Sequence, residues 1–157
     1  MEIEIWSLGR SNESYIEEGV QYYFKKTMPW NKVKLEVLTL PKKFLTTDKE
    51  QTKKKEEELI LKKLQAHHYL ILLDEKGQQL NSVQWAQQFQ QCMNQGTKTL
   101  VILIGGAFGV SENIQQKAKQ TWSLSKLVFP HQLVRLILAE QIYRAFSILN
   151  HSPYHHE

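Results

Sequence analysis

Apolar and polar positions follow three different patterns along the chain. Residues 1–8 alternate, with Ile3 and Ile5 on one side and acidic residues on the other, which predicts a half-buried strand. Residues 100–104 are five apolar residues in a row, the pattern of a strand covered on both faces. In several longer segments, such as residues 82–95, apolar residues recur every three or four positions, as in a helix. The full pattern predicts strands over 1–8, 33–37, 69–73, 100–104 and 122–128, and helices over 15–26, 50–66, 82–95, 111–120 and 131–149.

Polar and turn-forming residues separate these elements. The polar, lysine-rich residues 42–53 predict a loop that runs into the following helix. Residues 74–77, Asp-Glu-Lys-Gly, predict a turn that closes the third strand. A cap at Asn81 or Ser82 and a stop at Gly96 bound the next helix.

Strands alternate with helices from one end of the sequence to the other. Parallel strands need a crossover connection, usually a helix, so this order predicts an α/β fold with a mainly parallel sheet and helices on both faces. The 157 residues have the size of one domain, and no internal repeat or low-complexity linker divides them. We therefore expect a single domain over residues 1–157.

The last predicted helix, residues 131–149, is apolar on nearly all sides. Such a helix must be buried on two sides, and the sheet of a small domain covers only one of them. A second copy of the chain is the simplest partner for the other side. The sequence therefore predicts a symmetric homodimer.

A glycine-rich loop, residues 105–109, follows the apolar run at 100–104. Its order is G-G-x-x-G, so it does not match the dinucleotide-binding fingerprint, and it lacks the Lys-Ser/Thr pair of a phosphate-binding loop. Ser111 is placed to cap the helix that follows. Local features leave a plain structural turn and a ligand-binding loop as equally good interpretations.

Net charge and composition constrain the function only weakly. The formal net charge is +4 and the pI is about 9.1, which favours polyanionic partners. Lysines in residues 53–63 are interleaved with glutamates, a pattern more typical of a solvated helix face than of an RNA-binding patch. The apolar runs are far shorter than the ~20 residues of a membrane helix, and the acidic N-terminus does not resemble a signal peptide. We expect a cytoplasmic protein without a membrane partner.

Several kinds of reactive site cannot be found in the sequence. The single cysteine, Cys92, excludes an internal disulfide, and its apolar helix face predicts a buried, unreactive thiol. The adjacent histidines His67 and His68 would diverge in an extended chain and make a poor chelating pair. We therefore expect no metal site.

Three loops are predicted to meet at the carboxyl edge of the sheet, where parallel α/β folds usually bind ligands. They are residues 73–75, 105–109 and 123–129. Ionisable groups are few there, so backbone amides and apolar side chains would suit a flat, largely neutral ring such as adenine.

Longer motifs in the same regions carry a more specific signal. They are LLDEKG at 72–77, LIGGAFG at 103–109, WSLSKLVFPHQLVRLILAEQIYRAFSI at 122–148 and PYHHE at 153–157. In this combination the chain closely resembles the ribosomal RNA large subunit methyltransferase H family, small SPOUT-class enzymes that modify bacterial 23S ribosomal RNA. The resemblance implies an α/β knot, in which the C-terminal segment threads a loop to form a trefoil, and a homodimer.

The resemblance also implies a cofactor and a reaction. The cofactor is S-adenosylmethionine, bound within the knot, and the product is N3-methylpseudouridine in helix 69 of 23S ribosomal RNA, made on assembled ribosomes. DNA is not an expected partner. By position in the matching motifs, the cofactor contacts are expected to be Leu73, Gly105, Leu124, Ser125, Lys126, Leu127, Val128 and Phe129.

Substrate engagement is expected from Arg135, Tyr154 and His155, contributed by opposite subunits, and His131 is a further candidate. The imide nitrogen N3 must lose a proton before it attacks a methyl group, which calls for a base that the sequence leaves unassigned. Simpler interpretations compete: Arg135 would pair with Glu140 or a carbonyl, and the C-terminal tail would be frayed.

Two other functions remain open at this point. A non-catalytic ribosome-binding or RNA-binding factor with the same fold would show salt-sensitive RNA binding without methyl transfer. A nucleotide-binding α/β enzyme of another kind would bind a dinucleotide or ATP, although the sequence lacks the residues usual for either.

Overall fold

A parallel sheet forms the centre of the protein. The computed structural model describes residues 1–45 and 47–156, so Thr46 of the predicted loop and Glu157 of the tail motif lie outside the described residues. Within that part, five strands pair in the order β2-β1-β4-β3-β5, and every pair is parallel. The strands are β1 (Glu2–Leu8), β2 (Val33–Leu38), β3 (His68–Gln79), β4 (Thr99–Ile104) and β5 (Gln120–Ser123). The predicted parallel α/β fold is confirmed.

Helices cover both faces of the sheet. They are α1 (Ser14–Thr27), α2 (Lys49–Lys63), α3 (Ser82–Asn94), α4 (Glu112–Lys117) and α5 (His131–Leu149). Along β4, Leu100 and Ile102 pack with α1, α3 and α5, whereas Val101 and Leu103 pack with α2 and α4. The unbroken apolar run of β4 is thus explained, because successive side chains point to opposite faces and both faces are covered.

Side-chain caps fix where several helices begin. The side chain of Asn81 accepts from the backbone N–H of Gln84, and the Gln84 side-chain oxygen accepts from the backbone N–H of Asn81. The predicted start of α3 is confirmed. The Asp48 side chain caps α2 by accepting from the backbone N–H of Gln51, and α2 therefore begins within the predicted loop 42–53. A short 3₁₀ turn, Lys42–Phe44, occupies the start of that stretch. The loop prediction was wrong for these two parts, whereas the helix predicted from residue 50 is confirmed.

Two predicted strand ends were also wrong. Residues 74–77 do not close β3. They form a bulge, because Leu73 and Gln78 both pair with Trp122 of β5. The predicted strand 122–128 ends at Ser123, where the Ser123 hydroxyl donates to the Ser125 carbonyl. The Ser125 hydroxyl in turn accepts from the N–H of Leu127, so the serines turn the chain out of the sheet.

Helix α5 begins and ends where the sequence predicts. It lies against α1 and α3, and Leu138, Ala139 and Ile142 are fully buried there. Other apolar side chains of α5, including Leu133 and Ile137, remain partly exposed in the single chain. That exposed side is where the expected second copy would pack, and the homodimer and the knot stay predictions.

Candidate active site

A pocket of about 660 Å³ opens at the carboxyl edge of β3, β4 and β5. Its wall comes from the bulge of β3, from the loops that follow β4 and β5, from the first turn of α5 and from the start of α2. This volume is within the range of small-molecule sites. The pocket lies at the edge where the sequence predicts ligand binding.

The loop between β4 and α4 presents bare backbone to this pocket. Gly109 has φ +74°, a conformation that favours glycine, and its N–H closes a tight turn onto the carbonyl of Gly106. A Cβ atom on Gly105 would lie 3.1 Å from Val110 Cγ1, so a larger residue there would crowd the pocket wall. Ser111 caps α4 as predicted, accepting from the N–H of Ile114. The loop is a structural turn that also lines the pocket.

His131, the first residue of α5, contributes an imidazole to the pocket wall. Burial lowers its pKa, and the positive charge of Arg135 lowers it further, against a hydrogen bond with the backbone of Leu8. The ring is therefore neutral at pH 7, and a neutral imidazole is able to accept a proton.

Arg135 lies one turn further along α5 and is only 1% exposed. Its Nε donates to Ser7 Oγ, and its Nη1 donates to the carbonyl of Arg10 and to Asn12 Oδ1, each at 2.8 Å. The guanidinium thus ties α5 to β1 and the loop after it. The suggested pairing with Glu140 was wrong, and the suggested carbonyl contact is confirmed.

The C-terminal tail packs on the far half of α5. The Tyr154 hydroxyl donates to Glu140 Oε1 at 3.1 Å, and the Arg144 guanidinium lies 4.7 Å from the Tyr154 ring centre. Arg144 Nη1 also approaches His155 Nδ1 at 3.4 Å. Burial is the first cause that raises the pKa of the Tyr154 phenol, followed by Tyr23 and Glu140, so the phenol stays protonated and acts as a donor. These contacts argue against a frayed tail.

The comparisons with known proteins cover the whole chain. The family model described as "Predicted SPOUT methyltransferase" matches residues 1–155. The chain belongs to the SPOUT methyltransferase family. It is 42% identical over 157 residues to a protein of Flavobacterium johnsoniae named ribosomal RNA large subunit methyltransferase H, with 100% of each chain covered. Proteins of the same name from Parabacteroides distasonis (41%, 100% of each chain) and Natranaerobius thermophilus (35%, 99% of this chain and 100% of the relative) are also similar.

The expected cofactor residues of this SPOUT chain gather in one place. Seven of the eight line the pocket, and Lys126 does not. Those that do are Leu73, Gly105, Leu124, Ser125, Leu127, Val128 and Phe129. Leu127 and Val128 are 69% and 83% exposed, so the loop after β5 forms an apolar rim at the pocket mouth.

The expected substrate residues of this SPOUT chain are not gathered with them. Tyr154 and His155 contact Glu140 and Arg144, whereas the pocket lies beside His131 at the other end of α5. Glu140 and Arg144 are nine and thirteen positions from His131, which is about 14 and 20 Å along the helix at 1.5 Å per residue. Within one chain the tail is therefore remote from the pocket.

Glu56 of α2 packs behind the glycine loop of the pocket, a contact that the sequence did not reveal. Its carboxylate packs against Gly106, where an added Cβ atom would come within 2.5 Å of Oε1. Its Oε2 is buried without a hydrogen-bond partner among the described residues, and burial raises the pKa of the carboxyl group. In the sequence Glu56 is one of three consecutive glutamates on a charged helix, and nothing distinguishes it from its neighbours.

Residues 1–45 and 47–156 contain no further reactive or membrane-spanning feature of three kinds. No three His, Cys, Asp or Glu side chains converge there to hold a metal ion. None of the described helices has the length and hydrophobicity that crossing a bilayer requires. Cys92 is buried, and burial raises the pKa of its thiol, which disfavours the reactive thiolate.

Proposed function

We propose that this SPOUT chain is an S-adenosylmethionine-dependent methyltransferase. Its proposed product is N3-methylpseudouridine in helix 69 of bacterial 23S ribosomal RNA, made on assembled ribosomes in the cytoplasm. The observation that carries the proposal is the gathering of seven expected cofactor residues around one pocket at the ligand edge of the sheet. The names of the similar proteins support an RNA substrate from the large ribosomal subunit.

The residues around the pocket fit the proposed cofactor. Bare backbone at Gly105 and apolar side chains such as Leu124 and Phe129 suit an adenine ring, which is recognised by its flat face and by backbone groups. The carboxylates of Asp74 and Glu75 at the pocket edge suit a positively charged ligand. When bound, S-adenosylmethionine would supply a methyl group activated by its sulfonium charge.

The chain itself must position the target nitrogen and remove its proton. Holding the two reactants in line within an enclosed pocket provides much of the acceleration in such transfers. His131 lines the pocket, and its lowered pKa keeps the ring neutral at pH 7, so we propose it as the proton acceptor for the imide N3. Arg135 is proposed as a positioning residue, because its donors hold the loop after β1.

A homodimer is part of the proposal. The partly exposed apolar side of α5 supports a second copy. The separation of about 14 to 20 Å along α5 between the residues that hold the tail and His131 supports a tail that serves the partner's pocket. In that arrangement Tyr154 would offer a phenolic donor to the substrate, and His155 would lie next to it.

The function is tested by titrating S-adenosylmethionine into the pure protein by calorimetry and then measuring transfer of labelled methyl to ribosomes that lack the modification. We expect saturable binding, followed by transfer that mass spectrometry of the RNA places on N3 of a pseudouridine in helix 69. Gly105→Val, which crowds the pocket wall, serves as the matched control and should lose both signals while keeping its unfolding temperature within a few degrees. Ribosome binding without any transfer would favour the non-catalytic factor.

The shared site is tested by mixing two inactive variants. One lacks residues 154–157 and keeps the pocket, and the other carries Gly105→Val and keeps the tail. Random exchange of subunits should restore about a quarter of the wild-type methyl transfer, because half the dimers are mixed and each has one complete site. A mixture that stays inactive, or a truncated homodimer that stays fully active, would contradict the exchange of tails.

A further inference from the structure

A second pocket, of about 350 Å³, lies on the other side of the first turn of α5. Its wall includes Arg10 from the loop after β1, Tyr15 from α1, and His131, Gln132 and Arg135 from α5. His131 lines both pockets, so one turn of helix separates them. The proposed function so far leaves this second pocket without a ligand.

The first turn of α5 presents free donors to this pocket. Its N-cap is Pro130, which makes no side-chain cap, and the first backbone bond of the helix runs from Val134 N to the Pro130 carbonyl. Among the described residues, the backbone N–H groups of His131, Gln132 and Leu133 have no acceptor. The N-terminus of this 19-residue helix also carries the positive pole of the helix dipole, so it favours an anion.

Arg135 is an independent indication of an anion in the same place. Its buried guanidinium has no carboxylate within 4 Å in the part of the chain that the structure describes, and its three acceptors are all neutral. Nη2 donates no hydrogen bond to any described residue and lies beside Gly9, which also lines the pocket. Glu17, whose carboxylate accepts from the Asn12 side chain, supplies a counter-charge only at longer range. An anion bound in this pocket would add a direct charged partner for the guanidinium.

We propose that the second pocket binds a phosphodiester phosphate of the RNA, next to the nucleotide that is methylated. The proposal rests on the proposed function, because a base held at the first pocket places its neighbouring phosphates within one nucleotide of it. Free backbone donors and the Arg135 guanidinium match the oxygens of a phosphate. The exposed Arg10 adds charge at the mouth, and the Tyr15 ring, 66% exposed, offers a surface on which a neighbouring base can stack.

Nuclear magnetic resonance of the ¹⁵N-labelled full chain with S-adenosylmethionine separates the possible ligands. A uridine-containing trinucleotide should shift the backbone N–H signals of Gln132 and Leu133 and the Nε–H signal of Arg135. Inorganic phosphate should shift the same signals at higher concentration, and uridine nucleoside, which has no phosphate, should leave them unchanged. A trinucleotide without effect at these signals would overturn the proposal, as would shifts caused equally by the nucleoside or by phosphate alone.

The same spectra distinguish failure of this proposal from failure of the proposed function. The cofactor alone should shift the backbone signals of Gly105 and Gly109. If the cofactor shifts these signals and the trinucleotide leaves the second pocket unchanged, only the phosphate site is wrong. If the cofactor itself shifts none of these signals, the proposed methyltransferase function is contradicted, whatever the trinucleotide does.

A pair of surface variants tests the site in the reaction. Arg10→Gln should raise KM for ribosomes about tenfold with little change in kcat, and should lower the slope of log KM against log salt by about one. The control is Lys98→Gln, which removes the same charge from an exposed residue at the opposite edge of the sheet, where β4 begins. Equal effects of the two variants would overturn a specific phosphate contact.

Discussion

Replacing Gly77 with alanine is expected to lower the free energy of unfolding by about 3 kcal/mol and to abolish cofactor binding. Gly77 lies in the bulge of β3, where an added Cβ atom would come within 2.5 Å of the Trp122 carbonyl carbon and 2.8 Å of the Thr121 carbonyl oxygen. Those atoms belong to the backbone of β5, so the clash cannot be relieved by rotating a side chain. The two strands must separate, and the pocket rim that follows β5 moves with them.

Urea denaturation gives the change in stability, and calorimetry with S-adenosylmethionine gives the change in binding. Gly96→Ala is the control, because its Cβ atom would meet nothing within 4 Å and only the φ of +75° opposes it. That variant should lose about 1 kcal/mol and should bind the cofactor normally. If Gly77→Ala matched the control in both measurements, the close contact between β3 and β5 would not be a real constraint.

Replacing Arg135 with alanine is also expected to cost about 3 kcal/mol of stability. Three hydrogen bonds would be lost, and Ser7 Oγ and two oxygens of the next loop would be left without their donor. The side chain is fully buried, so a cavity would remain beside β1. Loss of methyl transfer in this variant would combine a displaced loop with the lost phosphate contact, so it would not by itself show that Arg135 contacts the substrate.

Arg144→Ala on the same helix is the matched comparison. Arg144 donates to Glu140 from both Nε and Nη2 and packs on the Tyr154 ring. These contacts are partly exposed and leave no cavity beside the sheet, so their loss should cost about 1 kcal/mol. Arg135→Lys, which keeps the charge but offers fewer fixed donors, should fall between the two alanine variants. Equal denaturation midpoints for Arg135→Ala and Arg144→Ala would contradict the assigned role of the buried guanidinium.

Local patterns in the sequence were sufficient for the elements that depend on local physics. The apolar run of β4, the capping of α3 by Asn81 and the bounds of α5 all follow from residues within one or two turns. The order of the strands does not, because it depends on pairing between residues far apart in the chain. The serine turn after β5 was missed because its hydroxyl bonds compete with strand pairing, and apolar alternation does not reveal that competition.

The candidate site was predictable only in part for the same reason. Glycines and apolar loops at strand ends identified the pocket edge, and the family resemblance supplied the individual residues. Glu56 and the bonds of Arg135 could not be foreseen, since both arise where a helix meets a distant loop. Buried polar contacts of this kind depend on tertiary packing, which a single sequence does not encode in any regular spacing.

The first turn of α5 has a thermodynamic consequence, because it is the common wall of both pockets. A ligand bound on one side of this turn restricts its motion, so a ligand on the other side loses less conformational entropy when it binds. The two binding equilibria are therefore linked. Linkage is reciprocal: the factor by which bound cofactor raises the affinity for RNA must equal the factor by which bound RNA raises the affinity for the cofactor. An enzyme built in this way would hold its methyl donor most firmly when the ribosome is already in place.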